Sequence, residues 1–364
     1  MVSRTVMIAV VAAIAVVIIG AGLYVLMQPP VVPPVEKLKM AVLLPGSITD
    51  AGWNAAMYMG ASALQAKFPD NLTVTIAEGL GQVGVAGTMR DYANQGYKIL
   101  VCWTIQYTAD AMAVHNDYND TWFIVTSAYQ TAPNVIGLDV NLWESSYLAG
   151  LAMGRLSNSG IVGGICGFDY PTTGAVPRCF MLGATDSRAR VGLSTTSLPV
   201  LPGGVWDDVN KGRELGQSLI DQGADIIVSR GDGLSLGVIQ AASAASHPGT
   251  SDTVYMCGDM ADQNALASKV IVTSNIVFAE HQLESIWKMV VNGSMQAVAD
   301  SGDRLMVWGV KQGMSGIAPF HGLDYKITAE VKSLVAACQA AIVAGTFRVM
   351  VNRTSGAVWT EGTF

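Results

Sequence analysis

Residues 38–60 have the sequence LKMAVLLPGSITDAGWNAAMYMG, and this stretch decides the fold. Its first seven residues, 38–44, have the length of a strand and are apolar apart from Lys39, as is typical of a strand buried on both faces. A glycine-containing loop follows, and Asp50 opens a helical stretch that extends to Lys67. A buried strand that leads through a loop into a helix predicts the first unit of a parallel sheet.

The same alternation continues along the rest of the chain. Further strands are predicted at residues 72–79, 98–103 and 121–126, with helices between them. A second series of predicted strands comprises residues 161–168, 191–200, 225–230, 253–259 and 269–275. The sequence therefore predicts an α/β fold with two doubly wound parallel-sheet lobes.

A short internal repeat indicates that the two lobes share one plan. Residues 94–101 (NQGYKILV) are similar to residues 221–228 (DQGADIIV), and in both a glycine lies between a predicted helix and a predicted strand. Ligands of parallel sheets bind outside the carboxyl ends of the strands. We therefore expect a cleft where the strand ends of the two lobes face each other.

Composition excludes several functional classes. The length of 364 residues suits two lobes, and 51% apolar residues exclude a disordered chain. A net charge of −7 excludes a nucleic-acid binder built on a basic surface. The histidines and cysteines lack metal-ligand spacing, so neither a metal site nor a cofactor is predicted. Cys166 and Cys179 are the only cysteines close in sequence, and a disulfide between them is one possibility.

The N-terminus predicts a membrane anchor. Residues 6–27 carry no charged or strongly polar side chain and, at about 1.5 Å per residue, can cross a hydrocarbon core of about 30 Å. Arg4 precedes this run and no lysine or arginine follows it before Lys37, which places the globular part outside the cytoplasm. A cleaved signal peptide is the alternative. The proline-rich residues 28–37 predict an extended linker.

The loop after the first strand carries candidate ligand contacts. Asp50 and Asn54 are one helical turn apart and share a face, and the indole of Trp53 lies beside them as a flat apolar surface. This combination suits a planar heterocycle with exocyclic donors and acceptors. A helix cap at Asp50 and a core position for Trp53 are the alternative interpretation. Further candidates follow the third strand: Trp103, Gln106 and Tyr107.

The second half offers a matching set. Trp206 precedes a helix start at Asp207 or Asp208, so the indoles of Trp53 and Trp206 can clamp a ring when the lobes close. Trp206 can instead be a hydrophobic staple for that helix. Carboxylates lie at or just after the ends of three predicted strands and predict a polar cleft that accepts hydroxyl or amine donors: Asp169, Asp232 and Asp259.

Two short motifs point to other functions. Residues 79–84 (GLGQVG) match a dinucleotide-binding pattern, but Trp103 and Thr104 stand where that site needs an acid. Residues 233–237 (GLSLG) match a nucleophile elbow, although Ser235 falls about one turn into a helix. Because histidines follow downstream, a serine hydrolase remains an alternative.

The order of several motifs resembles the basic membrane protein (BMP) family, the PnrA-like substrate-binding proteins of ABC transporters. The resemblance covers about residues 38–350. It rests on Asp50-x-Gly52-Trp53-Asn54, Gly60, Gln95-Gly96-Tyr97, Pro133-Asn134-Val135, Glu144-x-x-Tyr147-Leu148-Ala149-Gly150, Gly223-Ala224-Asp225, Asp262-Gln263 and Thr273-Ser274. It implies a type I periplasmic-binding-protein fold with three hinge crossings, whose members typically bind nucleosides or related heterocycles.

The resemblance also implies roles for single residues. Asp50 and Asn54 match the pair that contacts the base, and Asp259 matches the acid that holds ribose hydroxyls. Trp53 and Trp206 occupy the expected stacking positions. Val277 stands where the family often has a lysine, which favours a free nucleobase or another ring over a nucleoside.

Together these observations predict a membrane-anchored, extracytoplasmic substrate-binding protein of an ABC importer, not an enzyme. It would bind a purine-like nucleobase or nucleoside and deliver it to a permease and its ATPase. A ligand sensor or surface scaffold with the same fold is a further alternative. The predicted domains are an anchor (1–27), a linker (28–37), lobe 1 (38–141 and 274–311) and lobe 2 (142–273 and 312–364). The predicted ligand-binding residues are Asp50, Trp53, Asn54, Trp103, Gln106, Tyr107, Asp169, Trp206, Asp232 and Asp259.

Overall fold

The computed structural model describes residues 37–246 and 253–364. From Leu38 onward the chain forms one compact unit. The predicted anchor and nearly all of the predicted linker lie outside the described residues. Among the helices within those described ranges, none is both long and apolar enough to cross a bilayer.

The first half of the chain alternates strands and helices. These elements are β1 (Leu38–Leu43), α1 (Trp53–Lys67), β2 (Leu72–Ala77), α2 (Ala86–Asn94), β3 (Ile99–Cys102), α3 (Tyr107–Val114), β4 (Trp122–Thr126) and β5 (Val135–Val140). Met40 and Val42 of β1 pack into one buried cluster, and Ala41 and Leu43 pack into another. This burial on both faces explains the apolar residues 40–44 that predicted the strand.

The second lobe follows β5. Its elements are α4 (Leu142–Met153), β6 (Ile161–Cys166), α5 (Pro171–Ala189), β7 (Thr196–Ser197), β8 (Leu201–Pro202), α6 (Val209–Asp221), β9 (Ile226–Arg230), α7 (Gly233–Ala245), β10 (Tyr255–Met260) and β11 (Ile271–Val277). Strand β6 pairs in parallel with β9 on one side and with β7 and β8 on the other. The lobe is therefore a second parallel sheet covered by helices.

The rest of the chain completes both sheets. Its elements are α8 (Ala279–Val291), α9 (Met295–Asp300), β12 (Leu305–Trp308), β13 (Ser315–Ile317), α10 (Ala329–Ala344), β14 (Phe347–Val351) and β15 (Val358–Gly362). The first sheet has the order β12-β5-β4-β3-β1-β2, and the second has the order β13-β11-β10-β9-β6-β7. Only β13 is antiparallel to its neighbour in these two sheets, among the residues described. The predicted α/β architecture with two parallel sheets is confirmed.

The chain passes between the two sheets three times: from β5 to α4, from β11 to α8, and from β12 to β13. Backbone hydrogen bonds hold these crossings against each other, from Asn141 N to Trp308 O (2.6 Å) and from Phe278 N to Met314 O (3.0 Å). The predicted lobe boundary at residue 274 falls inside β11. This strand stays in the second sheet up to Val277 because it pairs with both β10 and β13.

The sequence repeat corresponds to a repeated helix ending. Gly96 after α2 and Gly223 after α6 have φ angles of 83° and 87°, in the left-handed region. Glycine ends helices in this way because it has no Cβ to clash in that conformation. The chain then enters a central strand in each lobe, β3 or β9.

The predicted strand at residues 191–200 is wrong over most of its length. Helix α5 continues to Ala189, a turn follows, and the strand is reduced to Thr196–Ser197 and, separately, Leu201–Pro202. Pro199 and Pro202 have no backbone N–H to give to a ladder, which explains why only short pieces pair with β6.

The possible disulfide between Cys166 and Cys179 is not formed. All five cysteines of the chain are free and buried. Burial raises the pKa of every one of these thiols, to about 12 in the case of Cys166. They therefore behave as small apolar core residues.

Candidate functional site

The loop before α1 is organised by Asp50. Helix α1 begins at Trp53, and the Asp50 carboxylate accepts hydrogen bonds from the N–H groups of Gly52 (2.9 Å), Asn54 (2.8 Å) and Ala55 (2.9 Å). Asn54 Nδ2 also donates to Asp50 Oδ2 at 2.6 Å. The two side chains are adjacent, as predicted, but Asp50 also holds the helix start, which was the alternative interpretation.

Trp53 stacks on Trp103. Their ring centroids are 4.5 Å apart, with 21° between the planes. Each indole Nε1 donates to the other residue's carbonyl oxygen, at 2.7 Å from Trp53 and 3.0 Å from Trp103. Trp103 is fully buried, whereas Trp53 is partly exposed. The pair therefore presents Trp53 as a rigid aromatic surface in the first lobe.

The two lobes meet directly at Asp232, the residue before α7. Its Oδ1 accepts a hydrogen bond from the backbone N–H of Trp53 at 3.0 Å. A Cβ on Gly52 would come within 2.6 Å of the same oxygen, so a larger residue would have to displace the Asp232 carboxylate. Gln263 Nε2 makes a second bond across this contact, to the Ala51 carbonyl at 2.8 Å.

The carboxyl group of Asp232 has a strongly raised pKa. Burial raises its pKa to about 7, and the nearby carboxylate of Asp50 adds to the shift, while the hydrogen bond from Trp53 opposes it. Asp207 and Asp259 add smaller effects in the same direction as burial. A carboxyl that titrates near neutral pH at the meeting point of two lobes is a candidate for function.

Trp206 lies on the second-lobe side of this contact. Its ring packs against Gly167, where a side chain would overlap it, and Phe168 contacts it with ring centroids 5.3 Å apart. Phe168 in turn stacks on the exposed Tyr170, with centroids 5.5 Å apart and 7° between the planes. Sequence reasoning noted Tyr170 after this strand and named Trp206 as a candidate, but it missed Phe168, which joins them into one aromatic run at the carboxyl end of β6.

Trp53 and Trp206 are neighbours across the lobe contact, but their indole rings do not contact each other within the described part of the chain. Each indole packs within its own lobe, and the ring contacts of the described residues include no pair of these two. The residues are nevertheless neighbours, because the backbone N–H of Asp232 donates to the Trp206 carbonyl at 3.0 Å while its side chain contacts Trp53. A ring held between the two indoles stays a prediction.

Asp259 lies in a buried polar cluster at the ends of β9, β10 and β11. It is 2% exposed, and its two carboxylate oxygens accept from Arg230 Nη1 at 2.8 Å and from Asn275 Nδ2 at 3.2 Å. Burial raises the pKa of Asp259, and Arg230 opposes that shift. Sequence reasoning missed Arg230, although a cation that ends a strand in a chain with so few charges was a usable signal.

Three predicted site residues lie apart from this contact. Tyr107 is buried and its hydroxyl donates to the Gly81 carbonyl at 2.7 Å. Gln106 is exposed and pairs with Thr104. Asp169 forms an ion pair with Arg178 of its own lobe at 2.6 Å. Within the described part of the chain, no hydrogen bond, ion pair or ring contact joins these three side chains to Asp232.

A groove of about 270 Å³ runs beside the lobe contact. It is lined by α1 and by residues 260–262 and 276–281. Met260 lines this groove, and its Sδ atom lies 3.5 Å from Arg230 Nη1. Met260 therefore lies between the groove and the polar cluster around Asp259.

Neither alternative motif forms the site it suggested. The N-terminal N–H groups beside residues 79–84 are held by Asp110, which accepts from Gly84 (3.0 Å) and Ala86 (3.3 Å), so this carboxylate occupies the position of a phosphate. Ser235 is fully buried in α7, and its hydroxyl has no hydrogen-bond partner, so no serine–histidine pair exists there. No cluster of metal-ligating side chains occurs in the described ranges.

Comparison with known proteins agrees with this geometry. A family model described as ABC transporter substrate-binding protein, PnrA-like, matches residues 37–337. The transcriptional activator protein Med of Bacillus subtilis is 25% identical over 260 residues, covering 71% of this chain and 76% of its own. A purine-binding protein of Brucella abortus is 24% identical over 333 residues, covering 89% and 87%.

A solved structure supports the fold. A solute-binding protein of an ABC transporter system from Conexibacter woesei aligns with a TM-score of 0.69 at 22% identity, covering 86% of this chain and 98% of the other. The likeness confirms the periplasmic-binding-protein-like fold that the resemblance implied. With the family match spanning most of its length, the chain belongs to the PnrA-like family of ABC transporter substrate-binding proteins.

Proposed function

We propose that this protein binds a purine-like nucleobase or nucleoside between its lobes and delivers it to the permease of an ABC importer. The observation that carries the proposal is the direct contact between strand-end loops of the two lobes, made by Asp232 on Trp53 and by Gln263 on Ala51. Loops that meet in this way can enclose a small molecule that touches both lobes.

The chemistry around the contact favours a flat, polar ring. Trp53 is a rigid aromatic surface on one side, and Trp206 with Phe168 forms an aromatic run on the other. Asp232 and the Arg230–Asp259 pair add groups that accept and donate hydrogen bonds. The relative from Brucella abortus, whose name is purine-binding protein, supports the same ligand class.

Ligand binding would work by shifting the balance between open and closed lobes. A ligand that contacts both lobes stabilises the closed arrangement by the difference in its affinity for the two states. The three crossings between the sheets are where the chain bends during this motion. Bond making or breaking plays no part.

We further propose that residues 6–27 anchor the chain, with the globular part outside the cytoplasm. The support is the uncharged run itself, together with the position of Arg4 before it. The permease and the ATPase of the importer would then be partners at the same membrane.

The proposal is tested by thermal unfolding of the full-length chain, purified in a mild detergent, with separate panels of nucleobases, nucleosides, sugars and amino acids. A purine at about 100 times its Kd adds about 2.7 kcal/mol and, for a folded unit of this size, raises Tm by about 4 °C. Trp53→Ala should weaken purine binding by about tenfold or more, since an aromatic face is worth about 1–3 kcal/mol to a stacked base.

Trp359→Ala is the matched control, because Trp359 lies exposed in the C-terminal hairpin and should leave binding unchanged. A shift with sugars or amino acids and none with purines would refute the ligand class. Equal weakening by both tryptophan variants would refute the location of the site.

A further inference from the structure

Arg230 is the last residue of β9, and part of its guanidinium group makes no hydrogen bond. Nη1 donates to Asp259 Oδ2 at 2.8 Å, and the side chain is 14% exposed. Nε is buried and has no hydrogen-bond partner. The hydrogen bonds made within the described part of the chain do not involve Nη2. A buried donor left without a partner is rare in native proteins and calls for an explanation.

The free groups form one edge of a planar fork. The N–H bonds of Nε and Nη2 point the same way in the guanidinium plane, so this edge fits a molecule that offers two acceptors side by side. Asp259 fixes the fork from the Nη1 end and is itself held by Asn275. The edge is therefore preorganised and offers donors only.

The backbone of Arg230 lies where the lobes meet. The Arg230 carbonyl accepts a hydrogen bond from Gly167 N at 2.9 Å, and Gly167 is the residue against which the Trp206 ring packs. Two residues further on, Asp232 contacts Trp53 of the other lobe. Arg230 thus belongs to the same layer of strand ends as both aromatic surfaces.

We propose that Arg230 selects 6-oxopurines, such as guanine and hypoxanthine, by donating from Nε and Nη2 to the purine O6 and N7 atoms. This inference rests on the proposed purine-binding function. A 6-oxopurine presents two acceptors on that edge, whereas adenine presents N7 and an amino group. Because arginine has no acceptor, the amino group of adenine faces a donor and loses one hydrogen bond.

The first test varies the ligand and leaves the protein unchanged. Calorimetric titration of the full-length wild-type chain with guanine and hypoxanthine should give a Kd about tenfold to a hundredfold lower than with adenine. 7-Deazaguanine keeps O6 and lacks the N7 acceptor, so its affinity should fall by about tenfold relative to guanine.

The second test varies the fork. Arg230→Lys keeps a positive charge opposite Asp259 and removes the planar edge, so it should abolish the preference for guanine over adenine. Arg213→Lys is the control, because Arg213 is an exposed arginine of α6 that pairs with Gln240. Tm of each variant reports whether the fold survives.

The outcomes separate this inference from the proposed function. Purine binding with equal affinity for guanine and adenine in the wild type, or an equal loss of both in Arg230→Lys, overturns the role of Arg230 and leaves purine binding intact. The absence of binding by any purine overturns both. If Arg230→Lys does not fold, the comparison of guanine with adenine and 7-deazaguanine decides alone.

Discussion

Replacing Asp232 with asparagine should remove a loss of folding stability that the wild-type protein undergoes as pH rises towards neutral. Burial, together with the neighbouring Asp50, raises the pKa of Asp232 from the ordinary 3.8 to about 7, although its carboxylate accepts a hydrogen bond from Trp53 N. An asparagine oxygen can accept the same bond without carrying charge. The variant therefore keeps the contact and loses the titration.

The sign of the effect follows from the raised pKa. Between pH 4 and pH 7 the folded protein binds the Asp232 proton more tightly than the unfolded chain does, so stability falls as pH rises through this window. A shift of about three pKa units corresponds to about 4 kcal/mol. This value is an upper limit, because opening of the lobes returns Asp232 to water without unfolding either lobe.

The assay is urea unfolding of wild type and Asp232→Asn between pH 4 and pH 8. We expect the variant to gain stability over wild type as pH rises to 7 and the gain to stay constant above it. Asp120→Asn is the control, because that side chain is 92% exposed. If the difference between wild type and Asp232→Asn is the same at pH 5 and pH 8, the account of Asp232 is wrong.

Three further predictions follow from close packing. Gly52→Ala places a Cβ 2.6 Å from Asp232 Oδ1, so it should open the lobes, enlarge the radius of gyration in small-angle X-ray scattering and weaken purine binding by about tenfold. Gly150→Ala would overlap the carbonyl of Phe180 between α4 and α5 and should lower the free energy of unfolding in urea by about 1–3 kcal/mol, whereas Gly87→Ala, which has open space, should not. All five cysteines should resist a thiol reagent in the native protein and react in denaturant, with or without prior reduction.

The strands could be predicted because both faces of each sheet are buried. An apolar run such as residues 38–44 has one stable arrangement in an α/β protein, and β1 follows it closely. The failure at residues 191–200 has a local cause, since prolines interrupt the ladder and α5 extends over 19 residues despite Pro177 inside it. Tertiary packing there outweighs the helix-breaking tendency of proline.

The site was harder to predict than the fold. Strand-end acids are visible in the sequence, but which of them faces the other lobe depends on how the two sheets are oriented. Asp232 faces Trp53, whereas Asp169 turns to Arg178 in its own lobe, and both follow a strand in the same way. The partner of the Trp53 indole is likewise set by packing, because Trp103 comes from a different strand end.

The contact at Asp232 also determines how ligand affinity should depend on pH. Asp232 touches the backbone N–H of Trp53 and leaves the partly exposed indole beside it, so a stacked ring and this contact can coexist. A ligand that binds the closed lobes then bears the free-energy cost of ionised Asp232, and its affinity should fall by up to about tenfold per pH unit between pH 4 and pH 7. If Asp232 instead occupied the position of the ligand, ionisation would open the lobes and affinity would rise with pH. Calorimetric titration with guanine at pH 5, 6 and 7 distinguishes the two cases, and in Asp232→Asn the slope should vanish.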